Sequence, residues 1–298
     1  MRRLLFPTLL VSLALGSCVT SGQARPELDL ASDGWRLLEI NDDAGALATF
    51  DRALAVEASA PNHAGRGRAL QGLGRTLEAR SAFRQAIALE PTNARWHVGL
   101  GVVELAGGDV AAAVTACDAA IDRDPRGAKA YYNRGCAMLQ VGEHEQAVAD
   151  FSSAIRWNPK DPAAHNSLGV ALASLERFDA ATECFLRASS LGVLPAAHAN
   201  CAAAYYRCGE IELALTELNT AIRLERNNIT HLTNRGRIYL DLGESRLALV
   251  DFVEARKLAP QDPAVRDLVA QTRRCVAEQE SAGGAAGGSA TDLEARGR

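Results

Sequence analysis

One spacing constrains this chain more than any other. Alanine stands at Ala46, Ala79, Ala113, Ala147, Ala181, Ala214 and Ala248, and again at Ala53, Ala86, Ala120, Ala154, Ala188, Ala221 and Ala255. Both series advance by about 34 residues, the interval of a repeat built from one supersecondary unit. A full period runs from Ala128 to Asp161, AKAYYNRGCAMLQVGEHEQAVADFSSAIRWNPKD, with Gly135, Ala147, Phe151, Ala154, a glycine turn at Gly142 and a closing Pro159. It reads as two antiparallel amphipathic helices joined by a short turn.

Two further slots repeat in step. The glycine slot holds Gly34, Gly67, Gly101, Gly135, Gly169, Ala202 and Gly236; the aromatic slot holds Phe50, Phe83, Cys117, Phe151, Phe185, Leu218 and Phe252. One helix pair cannot bury its own apolar stripe, so each copy must cover the next, and the run makes one elongated core. Glycine or alanine at a crossing lets helices approach near the short end of about 8–10 Å. A larger residue at Gly135 or Ala147 is expected to cost about 1–3 kcal/mol by overpacking.

These residues resemble the tetratricopeptide repeat, whose 34-residue helix-turn-helix carries an A-x3-F core. The resemblance spans roughly Glu27 to Asp262 and implies an all-α, right-handed superhelical solenoid of about seven repeats: 27–60, 61–93, 94–127, 128–161, 162–194, 195–228 and 229–262. After them, Pro263 to Glu280 reads as a capping helix that solvates the open end of the stack. Residues 281–298 contain GGAAGGS without apolar periodicity and are expected to be a disordered tail.

The chain opens with MRRLLFPTLLVSLALGSC: a basic start, an apolar run from Leu4 to Leu15, then small residues. That is the pattern of a signal peptide over 1–17, too short to span a bilayer comfortably. Leu15-Gly16-Ser17-Cys18 resembles the bacterial lipobox, which implies acylation at Cys18; an ordinary signal peptide with an incidental cysteine is the plainer reading. By the same resemblance Val19 in place of aspartate favours the outer membrane, facing the periplasm. Residues 18–26, with Ser21, Gly22 and Pro26, read as a short tether.

The formal net charge is −4, and −6 without Arg2 and Arg3, which speaks against a nucleic-acid partner. His63, His97, His165 and His198 share one repeat position, but helices pack about 8–10 Å apart while zinc needs ligands at about 2 Å, so they cannot share an ion. Beyond Cys18, the six cysteines form no C-x-x-C pair. Cys184 and Cys201, on consecutive helices, are the pair to consider for a disulfide, although buried cysteine more often serves as a small hydrophobe. The glycines around Gly65-Arg66-Gly67-Arg68 follow no strand and lack the Gly-Lys-Ser/Thr ending of a phosphate loop. No catalytic residue, metal set or cofactor is expected. Arg134 and Arg235 match in position, as do Asp150 and Asp251, which suggests structural ion pairs within or between repeats.

The resemblance places function on the inner, concave face built by the first helices. Asn133, Asn200 and Asn234 share one position there, with Asn166 one residue earlier in its own copy. Asparagine offers both donor and acceptor, enough to grip a peptide backbone without reading its side chains; near a helix start it also suits plain solvation. Tyr132, Tyr206, Leu139, Leu240, Arg68 and Arg237 are expected on or near the same groove. The lysine-asparagine clamp of chaperone-binding relatives is absent. The expectation is an envelope-anchored, non-catalytic scaffold that binds a partner protein in its groove. It resembles lipoproteins that assemble type IV or Flp pili and secretion systems. An adaptor or regulatory subunit for periplasmic cell-wall hydrolases or proteases is the alternative.

Overall fold

The computed structural model describes residues 29–295, with side chains through residue 281. The signal peptide, Cys18 and the tether lie outside the described residues.

Seven helix pairs follow one another: α1 (Leu30–Glu39) with α2 (Asp43–Val56), α3 (Ala60–Gly72) with α4 (Thr76–Leu89), α5 (Ala94–Ala106) with α6 (Val110–Arg123), and α7 (Ala128–Gln140) with α8 (His144–Trp157). Then come α9 (Pro162–Ser174) with α10 (Phe178–Leu191), α11 (Pro195–Cys208) with α12 (Ile211–Leu224), α13 (Ile229–Asp241) with α14 (Ser245–Leu258), and a final α15 (Pro263–Ala295). The expected all-helical, paired stack is what the chain forms.

Local chemistry sets the breaks. Asp42 and Asp109 accept the Gly45 and Ala112 amides at the starts of α2 and α6, and Asn93, Asp161 and Asn228 cap first helices in the same way. Inside each pair the turn uses one residue of positive φ: Gly74, Gly108, Gly142, Gly209 and Gly243 in five pairs, Asn41 and Glu176 in the other two. Glycine takes that conformation freely, whereas Glu176 does so against its own Cβ.

Packing explains the two slots together. All fourteen repeat alanines are buried, at 4% exposure or less. The five slot phenylalanines are equally buried, each ring close against its own repeat's glycine. A Cβ at Gly67, Gly135, Gly169 or Gly236 would stand 2.9, 2.9, 2.5 or 2.6 Å from the ring it faces, too close for any side chain. Gly65 and Gly99 receive the rings of Phe50 and Phe83 from the preceding repeat, so one ring locks two repeats. Where the sixth repeat has Leu218, its partner in the slot is Ala202, and the two share one cluster. In that repeat the two departures are paired, a smaller residue than phenylalanine against a larger one than glycine, whereas the third repeat changes one slot alone, with Cys117 facing Gly101.

First helices of neighbouring repeats touch one another from α1 to α11, while each second helix packs mainly against the first helices of its own and the following repeat. The side where elements crowd is the inside of a curved stack, so the first helices form the inner face.

Helix α15 covers the end of the stack with Val265 and Val269 buried, and Gln279 and Glu280 bond back to Gly243 and Arg246 at 2.9 Å each. It does not stop at Glu280: the helix continues to Ala295 through residues that composition assigns to a tail. Once a packed segment has nucleated a helix, each added residue costs little, and alanine and glutamate among these residues favour extension. No helix among the described residues is long and apolar enough to cross a membrane.

Candidate partner-binding groove

The inner face carries two clefts. The larger, about 670 Å³, is walled by α1, α3, α5 and α7, with Trp35, Val98, Val102 and Tyr132 as apolar surface and Arg68, Arg95, Lys129 and Asn133 as polar rim. Aromatic contacts brace its walls. Trp35 meets Phe50 edge-on with ring centres 5.4 Å apart, and Tyr132 leans on Phe151 at 5.7 Å. Burial pushes the Tyr132 phenol up, so it presents a neutral hydroxyl. Trp96 donates to Glu90 at 2.9 Å, and Asn93 does the same. The Asn93 bond first and the Trp96 bond second hold the Glu90 carboxyl below its usual range.

The smaller cleft, about 350 Å³, lies between α11 and α13 and contains Tyr206, Arg207, Asn234, Arg237 and Asp241. Tyr206 donates to Asp241 at 2.5 Å, a bond that bridges two first helices and raises the phenol's pKa.

Between the clefts, Asn200 on α11 donates to Asn166 on α9 at 3.1 Å. The structure therefore gathers Arg68, Tyr132 and Asn133 in one cleft and Tyr206, Asn234 and Arg237 in the other, with Asn166 and Asn200 joined in between. Leu139 and Leu240 line neither cleft; they pack around Phe151 and Phe252 respectively. The reason is helical phase: Leu240 stands next to the cleft residue Asp241 but about 100° around the helix from it, toward Phe252, and Leu139 turns likewise toward Phe151.

Position in the repeat accounts for most of the lining. The residue after the glycine slot supplies Trp35, Arg68, Val102, Ala203 and Arg237. Arg95 and Lys129 escape a reading based on asparagine, yet they stand 34 residues apart at one repeat position, a signal legible in the sequence.

The ion pairs form as the matched positions suggest, and they join repeats as well. Arg134 grips Asp150 through Nε and Nη2 at 2.9 and 2.6 Å, and reaches Asp118 of the preceding repeat at 2.6 Å. Arg235 grips Asp251 at the same two distances and Asn219 of the preceding repeat at 2.5 Å. Glu104, 1% exposed, is met by Arg80 and Arg84 at 2.5 and 3.3 Å; this pairing has no repeat counterpart to announce it.

His97 and His165 each contact the carbonyl of the proline six residues back, Pro91 and Pro159, at 3.1 Å. His198 stands 2.7 Å from Glu217. These histidines clamp loops and neighbouring helices, and among the described residues no three metal-ligating side chains converge. Cys184 and Cys201 share a cluster as free thiols. Burial pushes the Cys201 thiol up to about 12 and Cys184 to about 11, so neither is a ready nucleophile.

The tetratricopeptide repeat family model matches residues 65–128 and 132–190. No curated protein sequence matches the chain. Among solved structures, a chain of the APC/C hetero-tetramer Cut9-Hcn1 superposes with TM-score 0.68 at 20% identity, over 81% of this chain and 48% of that one. This chain thus spans about half the length of that relative. Pseudomonas aeruginosa pilF gives TM-score 0.63 at 19% identity, covering 71% of this chain and 97% of its own. YrrB, described as a TPR protein with an unusual peptide-binding site, gives 0.54 at 20%, covering 65% and 99%. Likeness at such identity establishes shared architecture. Seven helix pairs with interlocked slots, and a tetratricopeptide repeat model matching residues 65–128 and 132–190, give the chain the architecture of a tetratricopeptide-repeat solenoid.

Proposed function

We propose that this chain is a non-catalytic scaffold that holds an extended segment of a partner protein along the inner faces of its first helices. The observation that carries the reading is the placement of Asn133, the Asn166–Asn200 pair and Asn234 along that face, in and between the two clefts. Their amides can give to and take from a peptide backbone. YrrB supports the reading as a protein of this fold described with a peptide-binding site.

Magnitudes require both parts of the groove. Three asparagine bonds at a net 0.5–1.5 kcal/mol each supply ~3 kcal/mol, against about 8 for micromolar affinity. Burying roughly 200 Å² of apolar surface at about 25 cal/mol per Å² brings about 5 more. Trp35, Val98, Val102 and Tyr132 offer the cleft's share of that surface, and the apolar side chains of the peptide supply the rest. Changing Asn133, Asn200 and Asn234 together to alanine should lower partner affinity at least about tenfold while helical circular dichroism stays constant. Unchanged affinity would remove the asparagines from the account.

The scaffold, in this proposal, is held at a bacterial envelope by acylated Cys18, on the outer membrane facing the periplasm. Arg2, Arg3, the apolar run and the Leu15–Cys18 ending support this. Cys18→Ser should move the protein from the envelope pellet into the soluble periplasm. The partner setting we favour is pilus or secretion-system assembly, supported by the resemblance to lipoproteins of that kind. Deleting the gene should then cost surface pili; altered peptidoglycan turnover with intact pili would point to the hydrolase adaptor instead.

A further inference from the structure

Charge is distributed unevenly between the two layers of the stack. The seven first helices carry nine arginines and lysines against four aspartates and glutamates; the seven second helices carry ten against thirteen. The inner layer is basic in a chain whose net charge is −4.

Of the nine inner cations, Arg36, Arg66 and Arg207 each face one carboxylate, and the other six fall into two kinds. Arg134 and Arg235 are saturated, each gripping one carboxylate with two nitrogens and a second acceptor in the preceding repeat. Arg68, Arg95, Lys129 and Arg237 are exposed at the clefts, and among the described residues none has a carboxylate within 4.0 Å. The cleft carboxylates are already engaged. Asp161 and Asp124 accept the Ala163 and Arg126 amides, and Asp241 accepts from Tyr206.

We infer that the segment held in the groove is acidic: an extended peptide with aspartate or glutamate side chains spaced to meet Arg68, Arg95, Lys129 and Arg237, and apolar residues between them. This rests on the proposed groove function and adds the chemistry of its occupant. The free cations are single charges separated by the apolar surface of Ala64, Val98 and Val102. That mixture suits a peptide of alternating character better than a nucleic acid, whose continuous phosphate charge calls for an unbroken basic track. Charges of this kind add specificity and capture rate more than raw affinity, so the preference should weaken as salt rises.

The test uses the full chain and four fluorescent probes of equal length: nonapeptides alternating leucine with aspartate, serine or lysine, and a single-stranded oligonucleotide. Binding is read by anisotropy at low and high salt, with the wild type and with Arg68→Glu/Lys129→Glu. The inference expects the aspartate peptide to bind at least about tenfold more tightly than the serine peptide, the lysine peptide to bind weakest, and the charge-reversed variant to abolish the ranking. Equal binding of the three peptides, or a preference that survives in the variant, overturns the acidic occupant and leaves the groove function standing. Tightest binding of the oligonucleotide also overturns it. Binding of no peptide overturns both. Arg187→Glu/Arg223→Glu, which reverses two exposed cations on the second helices α10 and α12, serves as the control and should leave the ranking intact.

Discussion

Phe185 lies over Gly169 so closely that a Cβ on that glycine would stand 2.5 Å from the ring. The ring is itself 1% exposed, so it has nowhere to retreat. Gly169→Val should therefore destabilise the protein by about 1–3 kcal/mol, an overpacking loss that thermal unfolding will register. Ala202→Val, in the repeat where leucine replaces the ring, should cost less. Equal losses at the two sites would show that the ring does not set the glycine requirement.

The turn at Glu176 stores strain that the five glycine turns avoid. Its φ of 59° is the left-handed conformation that five of the equivalent positions fill with glycine. Glu176→Gly should raise stability by about 0.5–1 kcal/mol, the relief of the Cβ clash less the entropy glycine adds to the unfolded chain. A drop in the unfolding midpoint would contradict this.

The arginine pairs invite a test that the chain has already performed on itself. Arg134 and Asp150 correspond to Leu168 and Cys184 one repeat later, where both side chains pack into an apolar cluster. Arg134→Leu alone strands Asp150, whose side chain is 8% exposed, and should cost about 3–5 kcal/mol. Arg134→Leu/Asp150→Cys should recover most of that loss. Chemical denaturation of the two variants gives both numbers, and a double variant no better than the single would refute the exchange.

Acid should loosen the second and third repeats. Burial holds the His97 and His63 imidazoles below the ordinary histidine value of about 6.5, so the unfolded chain binds protons more readily than the folded one. Stability is then full above about pH 6.5 and falls as pH drops from there toward the lowered native values. Replacing both with glutamine should flatten the stability profile between pH 7.5 and 5.5. A slope unaffected by the double change would assign acid sensitivity elsewhere.

How far the sequence foretells this molecule depends on whether a feature repeats. Ala147, Gly135 and Phe151 are legible because their slots recur through seven copies, and the sixth, where Ala202 meets Leu218, is informative in its own right. The matched positions of Arg134 and Asp150 foretell their bond, though not the reach to Asp118. Glu104 with Arg80 and Arg84 occurs once and leaves no periodic trace. The expected asparagines fall on the first helices, in and between the two clefts, while Leu139 and Leu240 are turned toward Phe151 and Phe252 by a helical phase that composition does not reveal. The bond between Asn166 and Asn200 joins neighbouring copies across the groove, and such contacts depend on the curvature of the stack.

The most direct measurement places a photo-crosslinking amino acid at single sites in the full chain, in living cells. Positions 68 and 237 line the inner clefts, and position 216 lies on the second helix α12. The account predicts the same partner crosslinked from positions 68 and 237 and none from 216. A partner caught from position 216 and missing from both clefts would contradict it.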